Sequence, residues 1–404
     1  MNGRLLAPDF ARGGMLLLIV LSNTAIFFHG VAAVEGGTSA TPVADQVVRF
    51  AMIALLDVRV YPLFAFLVGY GLVRAYQARS AELGEDAARA VIRSRNRWLV
   101  VFGLAHAALL MGSEVLGDYG VIGLILCAVF LGRGERRLRA AILTGAGLLA
   151  AVLLVSAAVL AASVVLPSTG AAPALEPSAQ ELSLNGSGTT DYLESVVTRL
   201  WGWVFLMVFA NGLGVVMPTA ILIGMWTARR RILEEPHRHR RLITTTAAVG
   251  VGLGLAGSLP SALAYAGVFT PASEAAEAAL FLLAWTSGLA GGLGYAALFV
   301  LAAGRLTRGG RTPRPVAAVA ALGKRSLSGY LAHSMVMAPV LSLWGLGLAA
   351  HLTEATAALF AFCLWLLTVV VAALMEKKGM RGPFEVLLRG LGARAARRRT
   401  EAAR

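Results

Sequence analysis

Apolar runs of membrane-spanning length recur from one end of this sequence to the other, and nothing else in it narrows the possible folds so far. They lie near residues 13–34, 59–76, 97–113, 115–132, 140–166, 200–226, 242–268, 276–303, 325–347 and 355–376. A helix of about 20 apolar residues crosses a hydrocarbon core. The expectation is therefore all-α: a polytopic helical bundle of about ten transmembrane helices forming a single transmembrane domain over residues 1–404. A soluble core has no use for 57% hydrophobic against 14% charged residues spread along the whole chain. An amphipathic piece at 45–56 suits the membrane interface as well as a crossing.

The basic residues set the expected orientation. With the N-terminus cytoplasmic and every run crossing, all of the 36 Lys and Arg except Arg49, Arg59 and Arg199 fall on the cytoplasmic side. Both termini then lie inside, by the rule that retains cations on that face. The net charge of +14 is thus a topology signal. The cations are split among short loops with no reading module, so no nucleic-acid partner is expected. The partner is the lipid bilayer, with the basic tail at 390–404 resting on anionic lipid. Residues 167–198 form the one long external loop, rich in Pro, Ser, Gly and Ala. The first run is too long for a secretory signal and holds Ser22, Asn23, Thr24 and His29. Cys127 and Cys363 both sit in spans, so no disulfide, metal or prosthetic group is expected.

Polar groups inside spans are costly and mark functional sites by default. At the helical rise, Asn23 lies about 15 Å into the first run, near mid-membrane, and His29 about 24 Å in. His106 and His333 each lie about 12 Å from a basic end. Asn211 falls near the middle of the 200–226 run, and Asp57, Arg59, Glu114 and Asp118 cluster at outer ends. If these faces meet, they form one polar seam. The blander alternative is that each hydrogen-bonds a neighbouring helix as packing glue. His237 and His239 sit in an arginine-rich loop that reads as solvated. The match of Gly252 to Gly257 to a dinucleotide fingerprint lies inside an apolar run. The spacings of Gly250 with Gly254 and of Gly288 with Gly292 read as close helix packing.

Asp9 to Gly13 with Asn23, then Arg97 to Gly123, then a C-terminal region at about 316–392 form three blocks that together resemble the YeiB-like family of bacterial membrane proteins, domain of unknown function 418. The first is Asp9-Phe-Ala-Arg12-Gly13 followed by Asn23. The second runs from Arg97 to Gly123 and carries His106, Glu114 and Tyr119, with Glu114 where the family has Asp. The third is a C-terminal signature region, about 316–392, holding Gly323 to Ser334 and Arg381 to Arg389. The resemblance implies a multi-pass protein of the bacterial cytoplasmic membrane. The opening block is also similar to that of transmembrane acyltransferases of the heparan acetyltransferase type, as is the stretch from Pro62 to Gly69. That likeness implies acyl-CoA as co-substrate, entering from the cytoplasm, and an extracytoplasmic acceptor in the cell envelope or among small molecules.

Acyl transfer needs a base for the acceptor proton, suited to His29 or His106, and an oxyanion donor, suited to Asn23. Asp57 or Glu114 would fix the imidazole, and Arg12, Arg95 and Arg97 would hold the CoA phosphates. Two other classes stay open: a transporter using the same buried groups as a path, and a non-catalytic scaffold, with a homo-oligomer compatible with each. Discontinuous helices favour transport, and the glycine-rich stretches at 250–257 and 288–294 are the places to look for them.

Overall fold

The computed structural model describes residues 6–35, 42–165, 185–307 and 312–402; the side chains of 33–35, 164–165, 210–213 and 395–402 fall outside that description. Most of the expected 167–198 loop, the side chain of Asn211 and much of the basic tail's side chains therefore lie outside the described residues. Every described element is helical, with no strand among them. In chain order they are α1 (Leu6–Glu35), α2 (Val43–Leu55), α3 (Val60–Leu83), α4 (Glu85–Leu109), α5 (Leu116–Phe130), α6 (Glu135–Val165) and α7 (Tyr192–Phe205). Then come α8 (Val216–Arg229), α9 (Arg240–Tyr265), α10 (Glu274–Leu306), α11 (Arg314–Gly323), α12 (Ser326–Leu341), α13 (Glu354–Lys377) and α14 (Pro383–Ala402).

Seven of the described helical segments are long and apolar enough to cross a membrane, which makes this a multi-pass membrane protein. The expected crossings at 97–113, 115–132 and 325–347 fall on α4, α5 and α12, which are not among the seven. The first half of α4 is charged, and α5 and α12 have only 15 and 16 residues. The outer segments are the least covered by the rest of the bundle: 17% of the α6 window is buried, against 56% for the α2–α3 segment.

Side-chain caps mark one end of the bundle. Asp191 caps α7 by accepting from Leu193 N and Glu194 N, Ser273 caps α10, and Thr353 with Thr356 forms a capping box on α13. Asp45, buried on α2, accepts from Ala355 N at 2.8 Å and serves the same helix start. At this end His29 Nε2 is 3.0 Å from Glu354 Oε1, and Arg49 reaches Asp57 at 3.2 Å. The opposite end carries the cations. There Arg74 pairs with Glu234 at 2.9 Å, Arg230 with Glu135 at 2.6 Å, and Arg325 with Glu376 at 2.8 Å.

The centre is made by α3 against α8 and by α9 against α10. The glycines of α9 and α10 act through close approach. A Cβ on Gly250 would stand 2.5 Å from Ala290 O, and one on Gly254 2.8 Å from Gly291 Cα. Both helices run unbroken, so the glycine-rich stretches are packing surfaces. The break lies elsewhere, in the run expected as one helix over 200–226. There α7 passes into a π-helical stretch, Leu206–Leu213, and Val215 then turns with φ 61° before α8 begins. Apolar content cannot report a π stretch or a left-handed residue, whereas wider turns of this kind are frequent at functional sites.

Candidate functional site: two chambers joined at an aromatic neck

Two cavities follow the interior from the basic end inward. The larger, about 580 Å³, is a vestibule lined by Arg12 of α1, Arg79 of α3, Arg95 of α4, Lys324 between α11 and α12, and Arg389 of α14. Among the described residues its one lining carboxylate is Glu385. The smaller, about 220 Å³, is bounded by Ser22 and Asn23 of α1, Tyr61 of α3, Ser113, and Trp285 of α10, among mostly apolar neighbours. Among the described residues this inner chamber is lined by no carboxylate, histidine or cation. Phe64, Leu116, Tyr119 and Tyr330 line both cavities and form the neck between them. Phe64 and Tyr119 stack with ring centroids 5.0 Å apart, and Tyr119 Oη donates to Tyr61 O at 3.0 Å.

The residues singled out from sequence divide across this geometry. Arg12 and Arg95 line the vestibule and Asn23 the inner chamber. Asp9 lies 3.4 Å from Arg12 Nη1, an ion pair at the vestibule wall. Arg97 is exposed and lines neither cavity. It lies two residues beyond Arg95, about 200° around the helix, so both cannot face inward. His29 and Asp57 are also off the cavities and tie α1, α2 and α13 together at the capped end. From Asn23 to His29 the helix turns through about 600°, which sets the two on different faces. His333 Nε2 stands 2.9 Å from Thr368 Oγ1, a link between α12 and α13. Among the described residues no cluster of metal-ligating groups occurs, and both cysteines are free.

His106 and Glu114 sit behind the neck. His106 is buried, its ring 5.2 Å from that of Tyr330, and its Nδ1 is 3.9 Å from Glu114 Oε1. Glu114 is fully buried and accepts from the backbone N–H of Leu116 and, at 2.9 Å, of Gly117. Its carboxylate satisfies the orphan donors at the start of α5 and complements that helix's positive end. Glu114→Ala should destabilise the protein by about 1–3 kcal/mol, the cost of leaving buried donors unmet. Thermal unfolding in detergent reads this, and an unchanged midpoint would refute the capping role.

Sequence reasoning passed over Arg79, Lys324, Arg389 and the neck rings. The cations looked like ordinary loop charge, and the signal that could have found the rings was their occurrence at Tyr119 and Tyr330 within the two family-like blocks.

Residues 227–394 match the family described as Protein of unknown function (DUF418). Over this C-terminal stretch the chain is similar to DUF418 proteins. No curated protein matches it. The DUF418 match starts near the end of α8 and reaches into α14, so it supplies Lys324, Tyr330, Glu385 and Arg389 to the vestibule. Arg12, Asn23, Phe64, Arg95 and Tyr119 come from the residues before it. Of the three YeiB-like blocks, the C-terminal one at about 316–392 lies within the match, while those at Asp9 to Asn23 and Arg97 to Gly123 lie outside it. The motifs shared with acyltransferases, Asp9 to Asn23 and Pro62 to Gly69, lie outside the matched stretch.

Proposed function

We propose that this protein binds acyl-CoA from the cytoplasmic side of the bacterial cytoplasmic membrane and passes its acyl group inward towards an extracytoplasmic acceptor. The chain crosses about ten times in this reading, with both termini inside. The observation that carries it is the pair of chambers meeting at Phe64, Leu116, Tyr119 and Tyr330, cationic on one side of the neck and uncharged on the other. An amphipathic anion matches that division. Its phosphates suit Arg12, Arg79, Arg95, Lys324 and Arg389, and its apolar acyl end suits the inner chamber.

In the transfer, the acceptor oxygen or nitrogen bonds to the acyl carbon as the thioester C–S bond breaks, and the CoA thiolate leaves towards the vestibule. Asn23 would donate to the developing oxyanion in a chamber without competing charge. His106, packed against the neck residue Tyr330 and 3.9 Å from Glu114, is the histidine retained as base. Transport remains a second reading on a specific observation: the broken segment from α7 to α8 contributes Leu206 to the inner chamber.

Binding of acetyl-CoA and longer acyl-CoAs to detergent-solubilised protein tests the proposal. Arg95→Ala should weaken binding about tenfold or more, by loss of a charge-assisted contact, while Arg97→Ala leaves it unchanged. No saturable binding at millimolar ligand would overturn the acyl-CoA reading.

A further inference from the structure

The C-terminal block Arg381-Gly-Pro-Phe-Glu385 has no part in the reading above, yet it meets the other C-terminal block inside the vestibule. Glu385, in the first turn of α14, reaches the start of α12. Its Oε1 accepts from Leu327 N at 2.9 Å and Ser328 N at 3.2 Å, and its Oε2 accepts from Ser328 Oγ at 2.5 Å. Ser328 Oγ also accepts from Phe384 N at 3.1 Å. The neighbouring Gly382 leaves room for this approach, since a Cβ there would collide with Glu385 Oε2 and lie 2.7 Å from Ser328 Oγ. Pro383 opens α14 at the position where its missing N–H costs nothing. The sequence thus directs a carboxylate from one helix onto the N–H groups of another, across 57 and 58 positions of chain.

This anion stands among cations. Arg12, Arg79, Arg95, Lys324 and Arg389 line the same cavity, and Glu385 is the one acidic side chain lining it among the described residues. Backbone N–H groups at a helix start, a serine hydroxyl and surrounding Arg and Lys are the donors that phosphate oxygens use. Leu388, Arg389, Gly392 and Ala393 of α14 complete the vestibule wall, and Ser94 Oγ donates to Leu391 O at 3.4 Å to hold α14 on α4.

We propose that Glu385 is an internal competitor: its carboxylate occupies the place of a ligand phosphate at the start of α12, so that binding of a phosphorylated ligand requires its displacement and loosens α14 from the vestibule. The ligand class, a phosphate or pyrophosphate ester, rests on the acyl-CoA reading, but the contact can be tested without a thioester.

The test uses inorganic pyrophosphate and the full-length protein in detergent, with binding read by calorimetry. Glu385→Gln keeps the shape and removes the charge, and should raise pyrophosphate affinity about tenfold, the scale of one like charge removed at contact distance in a partly solvated cavity. On the wild type, spin labels on α14 and α4 should show their separation widening when pyrophosphate is added. An unchanged or lower affinity in Glu385→Gln, or a fixed label separation at saturating pyrophosphate, would overturn the proposal and make the contact a structural joint. If pyrophosphate behaves as expected and acyl-CoA does not bind, the competitor stands and the acyl-CoA reading falls. If acyl-CoA binds and Glu385→Gln changes nothing, the reverse holds.

Discussion

Alanine at Gly323 should prevent the bundle from closing, and alanine at Gly13 should weaken it severely. A Cβ on Gly323 would collide with Asp9 O, and one on Gly13 with Val319 O. The two glycines interlock α1 with α11, each pressed against the other helix's backbone, which cannot rotate aside as a side chain can. Overpacking of a well-filled interior costs about 1–3 kcal/mol, and more where backbone must move. Fluorescence-detected gel filtration should show Gly323→Ala aggregated or absent, and Gly13→Ala with a much lower unfolding temperature. Wild-type elution and stability for both would mean that α1 and α11 do not meet as described. The same contact explains why Gly13 and Gly323, far apart in sequence, both stand in family-like blocks. They place Arg12 and Lys324 on one wall of the vestibule.

Arg59→Ala should destabilise the protein by about 2–5 kcal/mol, the range for truncating a large buried side chain. Arg59 is only 1% exposed, wrapped by Gly254 and Gly291, and its Nη2 donates to Gly254 O at 2.5 Å and to Ser258 Oγ at 2.7 Å. From the start of α3 the side chain therefore fills the crevice between α9 and α10. Arg59→Met separates packing from polarity, because it restores most of the volume without donors. Recovery of more than half the lost stability in Arg59→Met would assign the effect to packing. No loss in Arg59→Ala would refute the burial itself. From sequence, Arg59 was one of three cations on the outer side and one of the polar groups clustered at outer ends with Asp57, Glu114 and Asp118, with nothing in its neighbours to announce that glycines on two later helices wrap it.

Position along a helix was legible in the sequence and azimuth only partly so. A fixed rise per residue set Asn23 well inside the first helix, and Asn23 lines the inner chamber. The same rise could not say which way His29 or Arg97 faces, although the angular step from Asn23 and from Arg95 carried that information. Helix class was legible because apolar runs this long leave little alternative. The π stretch at Leu206–Leu213 and the turn at Val215 were not, because both are set by backbone geometry within an unbroken apolar run. The meeting of Glu385 with Ser328 depends on how α11 to α14 fold back on one another. Both blocks were visible, but their contact was not.

The depth of the vestibule has an electrical consequence. Its cavity enters from the basic end as far as the stacked rings of Phe64 and Tyr119. In the proposed orientation, water and mobile ions there carry the cytoplasmic potential into the bundle, and the voltage falls over the depth that remains beyond the rings. A charge crossing the whole field at 100 mV does about 2.3 kcal/mol of work. In the acyl-CoA reading, phosphates at Arg95 and Lys324 would stay on the near side of that drop, so their binding would respond little to membrane voltage. A group that carries net charge past the rings does electrical work, while a neutral acyl group passes without it.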